Sequence, residues 1–168
     1  MSNEFDIHIL AIKDKAFRFA LKILSNRHED AQDVVQDLFE KLWEIRESLS
    51  KYDNLEAVSM KMIKNLCLDR LKHEKMKVQK HSNLLLDKDL QITEPNFDKT
   101  NATEIVKRLI DQLPEKQKMI IHLRDVEGYE FNEIAKTLDI DINAVRMNLS
   151  RGRKAVKEQL LKTMNYGL

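Results

Sequence analysis

Apolar residues recur along this chain at the three-to-four spacing of helices, and no stretch alternates as a half-buried strand would. Phe17, Ala20, Leu21 and Leu24 share one face of a helix predicted over residues 5–24, which Ser25 and Asn26 break. A longer amphipathic helix is predicted over 28–45, with Val34, Leu38, Leu42 and Ile45 on one side and Asp33, Asp37, Glu40 and Glu44 on the other. Phe39 and Trp43, four residues apart, fall at the edge of its apolar sector. After a loop over 48–54, a third helix over 55–76 turns Val58, Met62, Leu66 or Cys67, and Leu71 inward. Its Lys61, Lys64, Arg70, Lys72, Lys75 and Lys77 are too many cations to bury together.

Between 79 and 103 the periodicity fades. Asp87, Asp89, Glu94, Pro95 and Asp98 supply charge and a breaker but no core, which places a flexible linker over 78–102. The expected fold is therefore all-α, with two small helical domains over 1–77 and 103–168. In the second, a short helix runs to residue 112, Pro114 starts the next, and Gly128 precedes a pair of helices over 129–157. Phe131, Ile134, Ala135 and Leu138 form the first stripe of that pair; residues 139–141 interrupt it; Ile142, Val145, Leu149 and Val156 form the second. This is a helix-turn-helix pattern. At about 100° per residue, Val145, Leu149, Gly152 and Val156 cluster on the buried side, leaving Asn143, Met147, Ser150 and Lys154 opposite, flanked by Arg146 and Arg151. Arg153 falls nearer the boundary. No acid interrupts that face until Glu158, as suits a helix that meets base edges in its first turns and phosphates with its Lys and Arg.

A formal net charge of +1 over 168 residues says little about partners, but its distribution says more. Residues 27–47 carry seven acids against three bases, 60–81 seven bases against two acids, 113–141 seven acids against four bases, and 142–163 six bases against one acid. Two basic blocks suit two contacts with one long polyanion, and the acidic blocks leave surfaces for another partner. Cys67 stands alone, so no internal disulfide is possible and a reducing compartment is expected. With no signal-like start and no run of 18 apolar residues, a soluble cytoplasmic protein without membrane insertion is the expectation. The glycines at 128, 152 and 167 form no phosphate loop, and His8, His28, His73, His81 and His122 have no ligand spacing with Cys67. No enzyme, metal site, cofactor or small-molecule substrate is expected, and His122 is read as a packed helix residue.

Three segments, in order, resemble the bacterial RNA polymerase sigma factors of the extracytoplasmic-function type. EDAQDVVQDLFEKLW at 29–43 is similar to the family's polymerase-binding helix, NLEAVSMKMIKNLCLDRLKHEK at 54–75 to the segment that opens and reads the upstream edge of the melted promoter, and 113–160 to the domain that reads the distal promoter element. The resemblance implies core polymerase contacts at Asp33, Gln36, Asp37, Phe39 and Trp43. It implies proximal-promoter contacts at Lys61, Lys64, Asn65, Asp69, Arg70 and Lys72, and distal-promoter contacts at Asn143, Arg146, Met147, Ser150, Arg151 and Lys154. It also implies an anti-sigma factor as a further partner. Asp139 stands in the turn where many relatives have Gly, and Ala144 stands where Thr often begins the recognition helix. The residues themselves also allow an autonomous helix-turn-helix regulator, or an adaptor that binds only protein. An autonomous regulator does not need an acidic, aromatic helix followed by a basic one, and an adaptor would leave the positive face of residues 143–154 unused.

Overall fold

The computed structural model describes residues 2–81 and 102–165, and every described element is helical. Helix α1 (Ser2–Ile23) ends at Ser25 and Asn26, whose φ of 54° and 63° are left-handed and turn the chain into α2 (His28–Glu44). A 3₁₀ stretch, Arg46–Lys51, leads to α3 (Leu55–His81), whose start is capped by Asn54 through its side-chain oxygen accepting from the Ala57 N–H at 2.9 Å. Residues 78–81, expected in the linker, instead complete α3; residues 82–101 lie outside the described part.

Ala16, Phe19 and Ala20 of α1 and Leu24 just after it meet Val34, Leu38 and Leu42 of α2 and Met60, Ile63 and Cys67 of α3 in the first core. The innermost residues of α3 are thus Met60, Ile63 and Cys67, while Val58, Met62, Leu66 and Leu71 are half-buried. The stripe shifts for a physical reason: α3 is packed by α1, α2 and α6, so burial spreads around its circumference and a single-face pattern is blurred.

The second half comprises α4 (Ala102–Asp111), α5 (Glu115–Ile121), α6 (Phe131–Leu138) and α7 (Ile142–Asn165). Pro114 precedes α5, and α5 runs on into a wider π-helical turn, His122–Val126, closed by the Glu127 N–H donating to the His122 carbonyl at 3.1 Å. Ile120, Leu123, Ile134, Leu138, Val145 and Leu149 form its core. Gly152 lets α7 lie close on α5: a Cβ there would come within 2.8 Å of Ile121 Cδ1.

The two halves meet across a seam, which fixes the mutual orientation that sequence periodicity leaves open. α1 packs on α5 and its π turn, and α3 packs on α6. Arg18 grips Glu127 through two hydrogen bonds of 2.8 and 2.9 Å, Lys22 and Asn26 reach Asp111, and Tyr129 donates to Glu56, which also accepts from Lys15. No described helix is long and apolar enough to cross a membrane.

Candidate functional site

Local chemistry sets the helix-turn-helix. The backbone N–H of Glu130 donates to the Glu133 carboxylate at 2.8 Å at the start of α6. Asp139 ends that helix in the left-handed region (φ 53°, ψ 48°), and the Ile140 N–H returns to the Ala135 carbonyl. Asp141 then accepts from the Asn143 N–H at 2.6 Å and starts α7. Val145, Leu149 and Gly152 are buried as their spacing predicts, and Asn143, Arg146, Met147, Ser150, Arg151 and Lys154 are all exposed. Arg146 lies over the ring of Phe131, 5.4 Å from its centroid, and Arg124 also lies over that ring at 4.8 Å. Arg153, at the edge of the outward face, is bound to Asp125.

The six positions expected to serve the proximal element do not form one patch. Lys72 is exposed, whereas Asn65 and Asp69 line a dent of about 110 Å³ with Lys41, Met62 and Leu66. Lys61 donates to Asp139 at 2.7 Å; Lys64 lies 4.0 Å from the other oxygen of the same carboxylate, with its side chain only 8% exposed. Arg70 lies about 180° around α3 from Lys61. It is held by Asp30 at 2.5 Å and Asp33 at 3.3 Å, which ties α3 to α2.

On α2, Gln36 and Asp37 are exposed, Phe39 is half-buried and Trp43 is exposed, with Arg46 stacked 4.7 Å from the Trp43 ring. Gln36, Phe39, Glu40 and Trp43 form one side of an open groove of about 730 Å³, and α1 supplies Lys13, Asp14 and Phe17 as the other. Those α1 residues were missed by sequence reasoning because Phe17 belongs to the apolar stripe assigned to the core. The core face of α1 is instead Ile12, Ala16, Phe19, Ala20 and Ile23, about 100° round the helix from Phe17, which leaves Phe17 and Leu21 half-buried at its rim; the spacing of Ala16, Phe19 and Ile23 was the signal. Asp33 turns away toward Arg70 and does not line the groove.

Charge is organised at the seam as well. His122 is buried, stacked on Phe19 with centroids 5.9 Å apart, and its Nε2 lies 3.3 Å from Glu127. Burial lowers its pKa to about 4, Lys22 and Arg18 pushing the same way against the opposing pull of Glu127. Burial pushes the Glu127 carboxyl up, but the Arg18 guanidinium, joined by His122 and Lys15, holds it below the usual carboxylate range. Burial raises the Tyr129 hydroxyl, as does its bond to Glu56. Among the described residues no group of three or more His, Cys, Asp or Glu could hold a metal ion.

Two family models fall on the two halves of this structure: sigma-70 region 2 matches residues 9–76, and sigma-70 region 4 matches residues 103–156. The chain belongs to the sigma-70 family. Within it, this sigma factor is similar to extracytoplasmic-function members. It is 24% identical over 160 residues to the ECF RNA polymerase sigma factor SigW of Bacillus subtilis, covering 88% of this chain and 84% of that protein. It is 26% identical over 153 residues to the ECF RNA polymerase sigma-E factor of Escherichia coli, covering 78% and 74% respectively. Among solved structures, the sigma factor RpoE in complex with the anti-sigma factor NepR from Bartonella quintana shares the fold, with a TM-score of 0.75 over 95% of this chain and 97% of that one at 23% identity.

Proposed function

We propose that this chain binds core RNA polymerase, directs it to specific promoters and assists promoter opening. The observation that carries this reading is the outward face of α7: five polar or basic positions and Met147, all exposed, on the second helix of a helix-turn-helix. Such a face enters a major groove with Asn143, Arg146 and Met147 toward base edges and Ser150, Arg151 and Lys154 toward the backbone. The helices up to the end of α3 serve the polymerase and the proximal element, and those from α4 onward serve the distal element.

The groove between α1 and α2 is the polymerase contact. Phe39, Trp43 and Phe17 offer apolar anchors and Glu40 and Asp14 line the groove with Lys13, while the exposed Asp37, further round α2, adds to an acidic surface that steers and orients a basic helical partner. Along α3, Lys61, Lys64, Asn65, Asp69 and Lys72 hold the melted strand, replacing base stacking with protein contacts. Arg70 acts there through α2, by bracing α3 against Asp30 and Asp33. An anti-sigma factor is a further partner on this reading, supported by the complex in which the similar RpoE was crystallised.

The deciding experiment is promoter-dependent transcription by purified core polymerase with and without the chain. Transcripts that start at defined promoters only when it is present are expected. Sequence-specific DNA binding by a chain that does not associate with core enzyme would mark an autonomous regulator instead.

A further inference from the structure

Lys61 and Lys64 belong to the helix that, on the function proposed above, must offer cations to promoter DNA, yet neither is available in this arrangement. Both point at one carboxylate, that of Asp139, 78 residues away from Lys61 in the chain. Asp139 is not there for backbone comfort, since at φ 53° a glycine would suffer no Cβ penalty. What an aspartate adds is its charge, placed by the turn of the helix-turn-helix directly over α3. The rest of the seam holds that turn in register: α6 packs on α3, Tyr129 bonds Glu56 of α3, and Arg18 grips Glu127. Lys64 is nearly covered, a position in which an ammonium needs a counter-charge.

We propose that Asp139 is an intramolecular stand-in for a DNA phosphate: it occupies Lys61 and Lys64 in the free chain, so that the turn of the helix-turn-helix and the backbone of the proximal strand compete for the same two cations. The seam is then self-masking. Engagement of α3 by nucleic acid requires the second domain to move off it, and departure of that domain exposes both lysines together. This inference rests on the reading of α3 as a DNA-contacting helix, and its test separates the two.

The test is binding of a single-stranded oligothymidylate to the full chain over a series of salt concentrations, with helical content checked for each variant. Asp139→Asn and Asp139→Gly both tolerate the left-handed turn and remove the carboxylate. Each should bind about threefold more tightly than the parent, a gain of the size an exposed ion pair can withhold. The logarithmic salt slope should steepen by up to about 1.4, the contribution of two released lysines on a single strand. Asp141→Asn is the control: it removes the same charge from the same turn while keeping a side chain that caps α7, and should leave the slope unchanged. Equal effects from Asp139→Asn and Asp141→Asn would mean that only net charge matters and would overturn the proposal. If Lys61→Ala and Lys64→Ala weaken binding by the parent but Asp139→Asn changes nothing, the masking idea falls while the role of α3 stands. If neither lysine matters in any background, the assignment of α3 falls and the masking with it.

Discussion

Arg146 lies across the Phe131 ring, and that stacking narrows the rotamers of a side chain that would otherwise be lost to disorder in solvent. On the proposed function it would meet DNA partly oriented, one turn into α7, whereas Lys154, two turns further on and 3.9 Å from Glu158, would act as a mobile charge. Arg146→Ala should lose about 1–3 kcal/mol on the preferred distal element and much less on mismatched ones, as a bidentate base contact does. Lys154→Ala should weaken all elements by a similar factor and reduce the salt slope by about one. Titrating the full chain against a library of distal elements at several salt concentrations distinguishes them; equal losses for Arg146→Ala across the library would remove its role in specificity. At this scale the sequence was most informative where burial is one-sided. Val145, Leu149 and Gly152 face α5 and α6, so their spacing alone located the outward residues of α7. It was silent where a partner is remote: nothing local to Lys64 or Arg70 announces Asp139 or Asp30.

Elements repeat that contrast. α2 is read correctly from its stripe because solvent covers its acidic side, and Asp37 is exposed there. Asp37→Lys should accordingly leave helical content unchanged and weaken association with core polymerase, since it reverses charge on the exposed acidic face of α2. Native binding by the folded variant, measured by competition for core enzyme, would remove α2 from the docking surface. α3 is harder to read because it is enclosed by α1, α2 and α6, and its true interior residues, Met60, Ile63 and Cys67, are flanked by half-buried ones on both sides. The groove itself was only half legible: the α2 wall is a motif, but the α1 wall of Lys13, Asp14 and Phe17 exists only once the two helices pack.

For the whole molecule, the seam should respond to pH. Closing buries His122 against Phe19, near Arg18 and Lys22 of α1 and Glu127 of its own segment. An opened chain binds a proton on this ring near pH 6.5, while the closed one resists protonation to about pH 4. The closed state is thus fully favoured above pH 6.5 and loses about 1.4 kcal/mol per unit as pH falls through that window. The lowered Glu127 and Glu56 carboxyls act in the same sense at lower pH, because protonation there releases Arg18 and Lys15. Spin labels on cysteines introduced at Lys72 of α3 and Lys136 of α6, both exposed, should report one narrow distance distribution at pH 7.5 and a longer, broader one near pH 5. Cys67 stays silent, buried and with its thiol pushed up to about 12. His122→Phe should keep the ring packing and abolish the His-dependent part of the transition; an unchanged transition in that variant would place its origin elsewhere.

The π turn at His122–Val126 carries one residue more than the α-helical path through the same space. Loss of a single residue there would close the turn to a regular α-helix and leave Glu127 on the same side of the helix before it, facing Arg18. Neither α6 nor α7 would change in sequence. The seam contact at Glu127 and the outward face of α7 therefore both lie beyond a stretch that can gain or lose one residue without reorienting either.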